Sequence, residues 1–219
     1  MKILANNIAI LDEPDQLCRW VEESGKLCHD ASVPVHYLPH INLGDVVIDV
    51  GAAIGDHTIA YTEKCGSPAL VHAFECNPKM IDCLRHNCGG VHVYPFALSD
   101  HHGLAYLNTD KPNNEGSNFV SRVHRSNTIV PCVKLDSFRF TQVDFIKWDV
   151  EGFEVAAING AADTLLKFKP TMIVEVHDGH LRRIGSSMEE LERLIKSLGY
   201  SITALLGDRN ERVYEALCQ

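Results

Sequence analysis

The sequence predicts an α/β protein, a three-layer sandwich around a seven-stranded, mostly parallel sheet with an antiparallel C-terminal hairpin. Three observations carry this. Runs such as VVIDV (46–50) and TMIVEVH (171–177) are short and rich in β-branched residues, as strands buried on both faces are. Strand-like and helix-like segments alternate from residue 46 onward, the pattern of a sheet with helices on both faces. The last two strand-like runs are separated by only five residues, a length that suits a hairpin.

The elements follow in order. Residues 1–40 read as a preamble, with a helix starting near Asp12-Glu13-Pro14, placing Leu17, Trp20 and Val21 on one face and stopping near Gly25. After the strand 46–50, Gly51 ends the run and a helix is expected from about Ile54 to Lys64, stopped by Gly66. ALVHAFE (69–75) is the second strand, Pro78 opens a helix through Asn87, and VHVYPFAL (91–98) is the third strand. VDFIKWDV (143–150) is the fourth, a helix over about 154–168 follows, and TMIVEVH is the fifth. A helix over 188–198 meets a Gly199 stop, and SITALL (201–206) and RVYEALC (212–218) close the chain through Gly207-Asp208-Arg209-Asn210-Glu211. The stretch 99–142 is long and polar around DKPNNEGSN and is expected to be a substrate-side insertion within a single domain, 1–219.

Composition narrows the function classes. With 219 residues, 45% hydrophobic and 22% charged, the chain can bury a core without staples. A net charge of −9 argues against nucleic acid as the main partner, because phosphate binding needs surplus Lys and Arg. No run is apolar and long enough to span a membrane, the N-terminus is a poor secretory signal, and no lipidation motif is visible. Eight cysteines contain no C-x-x-C pair and read as reduced thiols in a cytoplasmic protein; Cys83 and Cys88 flank His86, but buried thiols explain them.

The chemistry concentrates in DVGAAIGDHT (49–58), between a strand and a helix. Gly51 and Gly55 permit close backbone approach where the strand ends, and ligands of open parallel sheets bind there. The G-x-x-x-G spacing lacks the pyrophosphate-binding G-x-G-x-x-G. Glu75 ends the second strand 24 residues after Gly51, where a carboxylate can accept both hydroxyls of an adenosine ribose. Adenosine without pyrophosphate points to S-adenosylmethionine. Ser99-Asp100, at the next strand end, can read an adenine edge. In DFIKWDVEGFE (144–154), Lys147 and Asp149 face the same side of a buried strand, so each offsets the other's burial. Asp149, Glu151, Glu154, Glu175, His177 and His180 are expected to converge above one sheet end, as a general base or as divalent-metal ligands.

The order DVGAAIGDHT, HAFECNP, YPFALSD, EGSN, VKLDSF, DFIKWDVEGFE, PTMIVEVH resembles the FkbM-type S-adenosylmethionine-dependent methyltransferases, from about residue 44 to 177. The resemblance implies a Rossmann-like class I methyltransferase fold. It implies that Asp49, Gly51, Ala53 and Gly55 line the methionine and ribose portion of the cofactor, that Glu75 binds the ribose with Asn77 beside it, and that Ser99 and Asp100 lie near adenine. Asp149 would sit near the methionine amino group and sulfonium, with Glu151 and Glu175 facing the acceptor. The expected activity is O-methylation of a sugar, glycan or small metabolite, with Lys147 in the site and Glu151, Glu175 or His177 taking the proton. No residue is assigned to a metal. The sequence departs from the family at Ala53, where Asn is frequent, at Cys76, where Pro commonly follows the acid, and at Trp148, expected to reshape the neighbouring pocket. A non-catalytic module on the same fold and a metal-dependent hydrolase built on residues 149–180 are the alternatives; a homodimer is compatible with the edge strands.

Overall fold

The computed structural model describes residues 1–13, 15–28, 30–123, 126–206 and 211–217. The expected helix start at Pro14, the hairpin turn at 207–210 and Cys218 lie outside the described residues.

A small hairpin, β1 (Lys2–Ile3) and β2 (Ala9–Ile10), precedes α1 (Gln16–Ser24). Asp15 caps α1 by accepting from the Cys18 amide, and Gly25 ends it at φ +66°. Its core-facing residues are Cys18 and Val21, whereas Trp20 is half-exposed, a correction to the expected face. Residues 33–40 form one π-helical turn and one 3₁₀ turn, which bury Val33 and Tyr37.

The main sheet contains β3 (Val47–Val50), β4 (Val71–Phe74), β5 (His92–Tyr94), β10 (Phe145–Trp148), β11 (Thr171–Glu175), β12 (Tyr200–Leu206) and β13 (Glu211–Ala216). Its order is β12-β13-β11-β10-β3-β4-β5, with β13 antiparallel to both neighbours and the other pairs parallel. Side chains alternate between two cores. Ile48, Ile146, Trp148 and Met172 meet α4 (Glu154–Asn159), α5 (Ala162–Phe168) and α7 (Met188–Ser197). Val47, Phe145, Ile173 and Val213 meet the 33–41 segment and α2 (Thr58–Cys65). Behind β4, α3 (Pro78–Asn87) adds Leu84 against Ala73, which completes the three layers.

Three expectations are corrected. The helix after the first core strand starts at Thr58, not Ile54, because Ala53 (φ +48°) and Gly55 (φ +93°) hold left-handed backbone that no α-helix contains. The 154–168 helix is two helices, broken at Gly160, where an added Cβ would lie 1.8 Å from the Ser99 carbonyl oxygen. The third strand divides: β5 stays in the main sheet, while β6 (Ala97–Leu98) joins a second sheet with β7 (Gly103–Asn108), β8 (Phe119–Ser121) and β9 (Thr128–Val133), in the order β6-β9-β7-β8. The stretch expected as an insertion therefore carries three strands of a second sheet, pinned by Ala105, Leu107, Val120 and Val130 against Phe153.

Candidate active site

A cleft of about 340 Å³ opens where β3, β4, β10 and β11 end, within the range of small-molecule sites. Gly51, Ala53, Glu75, Asn77, Lys147, Asp149, Glu151 and Glu175 line it. Leu17 and Trp20 of α1, Phe96, and residues 114–118 wall the outer side.

At one end the Glu75 carboxylate is fixed by backbone donors. Ala53 N–H donates to Oε2 over 2.8 Å and Asn77 N–H to Oε1 over 2.6 Å. Burial pushes Glu75 up to about 7 against these amides. Asn77 caps α3 through its Oδ1 and donates through Nδ2 to Glu115, 3.1 Å away. Gly51 is small for a different reason from ligand approach, since a Cβ there would stand 1.8 Å from the Asp149 carbonyl oxygen.

At the other end Lys147, 4% exposed, places Nζ 2.9 Å from Asp149 Oδ2. Burial pushes Asp149 up, but the Lys147 ammonium outweighs it and holds the carboxyl below its ordinary value. Glu175 moves the opposite way, to about 9, first through the charge of Asp149 and then through burial. Glu151 sits at φ +54° and is pushed up to about 8 by burial and by Asp149. Its Oε2 lies 2.7 Å from His180 Nδ1, and His177 Nε2 lies 3.4 Å from Glu175. The two imidazoles are tilted neighbours with centroids 4.7 Å apart.

Several expected residues fall elsewhere. Asp49 is fully buried behind the cleft, where Oδ2 accepts from Thr58 Oγ1 at 2.6 Å. Gly55 packs toward Cys88, and Glu154 turns inward, its carboxylate accepting from the Gly152 amide. Ser99 is fully buried and Asp100 pairs with Arg122 outside the cleft; Phe96, Ala97 and Leu98 line it instead. His177 is at the rim, outside the lining. Trp148 points into the core on the far face of the sheet, so it does not shape the cleft. Among the described residues no three His, Cys, Asp or Glu side chains are arranged to hold a metal ion, which leaves the acid cluster without a ligand set. Every described cysteine is a free thiol.

The fold also recruits residues from outside the motifs. Asp30 lies 3.7 Å from His57 of the glycine segment, so the preamble contributes to the wall. Arg183, from α6 (Asp178–Arg183), donates to the Glu151 carbonyl and to Asp110 and stacks over Phe119 at 3.6 Å. It ties the Glu151 turn to the second sheet.

A parallel sheet closed by one antiparallel hairpin, with an acid on the second strand end facing a glycine turn, is the class I methyltransferase fold. Within that class, residues 49–202 match the methyltransferase FkbM domain, and the chain belongs to that family. Among solved structures, the methyltransferase FkbM from Methylobacillus flagellatus superposes with a TM-score of 0.56 at 16% identity, over 78% of this chain and 43% of that one. The chain thus spans less than half the length of that protein. An S-adenosylmethionine-dependent O-methyltransferase from Thermotoga maritima gives a TM-score of 0.55 at 10% identity, covering 93% and 72% of the two chains. A TehB-like S-adenosylmethionine-dependent methyltransferase from Corynebacterium glutamicum gives 0.54 at 10% identity, covering 91% and 93%. No curated protein matches the chain. Among the described residues no helix is long and apolar enough to cross a membrane.

Proposed function

We propose that this chain binds S-adenosylmethionine and methylates a hydroxyl of a sugar, glycan or small metabolite, as one methyltransferase domain whose 99–142 region forms the acceptor side. The observation that carries the cofactor is Glu75: a buried carboxylate on a strand end, aimed into a cleft and held by two amides. Those amides occupy one direction at each oxygen and leave lone pairs for two vicinal hydroxyls, the donor pattern of a ribose. The 340 Å³ cleft then runs from Glu75 to Asp149 and Glu175, so a cation at the far end meets an excess of carboxyl groups.

When bound, the cofactor supplies an electrophilic methyl group for in-line displacement by the acceptor oxygen. The chain supplies alignment and removal of the acceptor proton. In the unliganded chain Glu151 and Glu175 both hold their protons near neutral pH, so neither is a ready base in that state. The His180 imidazole, lowered chiefly by burial and next by Arg183, is neutral and adjoins Glu151. Glu151 can take the acceptor proton at one oxygen as it passes its own to the His180 imidazole, whose Nδ1 lies 2.7 Å from Oε2. This arrangement is what supports hydroxyl chemistry at the 151–180 cluster.

Calorimetry with S-adenosylhomocysteine, with and without EDTA, tests the reading. Binding of about one per chain, unaffected by EDTA and lost in Glu75→Ala, is expected. No binding by a folded wild-type chain overturns it.

A further inference from the structure

On the sheet face that carries Asp49, four carboxyl groups gather round one amine. Lys147 pairs in register with Asp49 of β3 and lies 2.9 Å from Asp149. Glu175 stands directly opposite Glu211 across β11 and β13. Glu211 is 2% exposed, and its Oε1 has no hydrogen-bond partner among the described residues. Like charges opposed on a ladder repel, and one ammonium cannot offset four carboxylates. Two of the four, Asp149 and Glu175, reach the cleft with Lys147.

Among the described residues, the following groups face that pair. Lys147 stands on β10 just before Asp149, Glu151 follows on the next turn, and His177 stands 3.4 Å from Glu175. Glu211 faces from β13, His57 from the start of α2, and Asp49, Tyr37 and Tyr61 surround the Lys147 ammonium.

We propose that Asp149 and Glu175 share one proton in the unliganded protein and expel it to solvent when a cationic group enters beside them, so that the pair selects a sulfonium donor over the neutral thioether left after transfer. The inference rests on the S-adenosylmethionine reading of the cleft. Glu175 keeps its proton up to a pH of about 9 because the Asp149 charge, and then burial, hold it there. A positive charge within a few ångströms reverses that balance. Binding that releases a proton strengthens with pH below the unliganded value, by up to about tenfold per unit, and levels off above it. A thioether carries no such charge, and the α-amine that both ligands share drops out of the difference between them.

The test is calorimetry of the full chain with S-adenosylmethionine and, separately, S-adenosylhomocysteine, in two buffers of different ionisation enthalpy between pH 7 and 9.5. The sulfonium ligand is expected to release close to one more proton than the thioether, and the ratio of their affinities to climb with pH toward a plateau. The α-amine of each ligand loses its proton over roughly the same range and acts in the opposite direction on each affinity, not on their ratio. In Glu175→Gln the excess release should vanish. Equal release by both ligands, or an excess unchanged in Glu175→Gln, overturns the proposal. Should that variant fail to fold, a wild-type affinity ratio that is flat with pH overturns it. Failure of both ligands to bind refutes the cofactor reading instead.

Discussion

The amide of Ala53 donates to Glu75 Oε2 over 2.8 Å, and Ala53 adopts φ +48° to make that contact. A strained turn after one strand thus fixes the carboxylate at the end of the next. The strain is the cost of aiming one backbone N–H into the cleft.

That relationship predicts that Ala53→Gly stabilises the fold. Removing the left-handed penalty gains about 1–2 kcal/mol, and the extra freedom of glycine in the unfolded chain returns about half of it. A net gain of roughly 0.5–1 kcal/mol should appear as a higher urea midpoint with unchanged slope.

Glu75→Gln should weaken S-adenosylhomocysteine binding and cost some stability, because its NH2 group would face one of the two backbone amides that the carboxylate accepts from. Losing a charged acceptor costs about 1.5–3 kcal/mol, or roughly 10- to 150-fold in Kd. Calorimetry beside a far-ultraviolet spectrum separates lost binding from lost fold.

Gly51→Ala meets a harder limit. Its Cβ would lie 1.8 Å from the Asp149 backbone oxygen, at φ +83°, so two central strands must part. A loss of at least about 3 kcal/mol is expected, read as a collapse of the chemical-denaturation midpoint.

Stability should fall as pH rises from about 5.5 to 8.5. Burial and neighbouring carboxyls raise Glu75 and Glu154 to about 7 and Glu151 to about 8, while the charge of Asp149, then burial, raises Glu175 to about 9. Each is above its unfolded value near 4.3, so the folded chain holds more protons across this window, and raising pH favours the unfolded state. Asp149 is held low and acts only in the acid range, below about pH 4, where its protonation destabilises. Melting temperatures at pH 6 and 8.5 check the sign, and a higher value at pH 8.5 would contradict it.

Asp15→Ala should loosen the outer wall of the cleft. Asp15 caps α1 through Oδ1 and accepts from the Glu115 amide through Oδ2 at 2.7 Å, while the Gln16 amide donates to the Asn113 carbonyl. Losing the cap costs about 0.5–2 kcal/mol. Hydrogen exchange should accelerate in α1 and in residues 113–118 together, with α5 unchanged.

The sequence by itself determined most strands of the main sheet, the glycine segment and the Lys147–Asp149 pair, because each rests on neighbours a few residues apart, and it placed Glu75 at the end of the second strand. Period-two burial puts Lys147 and Asp149 on one side of their strand, and Pro78 and Asn77 start α3 where local chemistry says. Tertiary structure alone decided the rest. The polar stretch 99–142 became a second sheet because β6 pairs with β9, more than thirty residues away in sequence. Ser99 and Asp100 left the cleft when Gly160 packed against the Ser99 carbonyl. Asp30, Glu115 and Arg183 reached the site through contacts spanning 27, 38 and 32 residues, to His57, Asn77 and Glu151. Local pattern reports what a residue offers; only the closed chain decides what that residue meets.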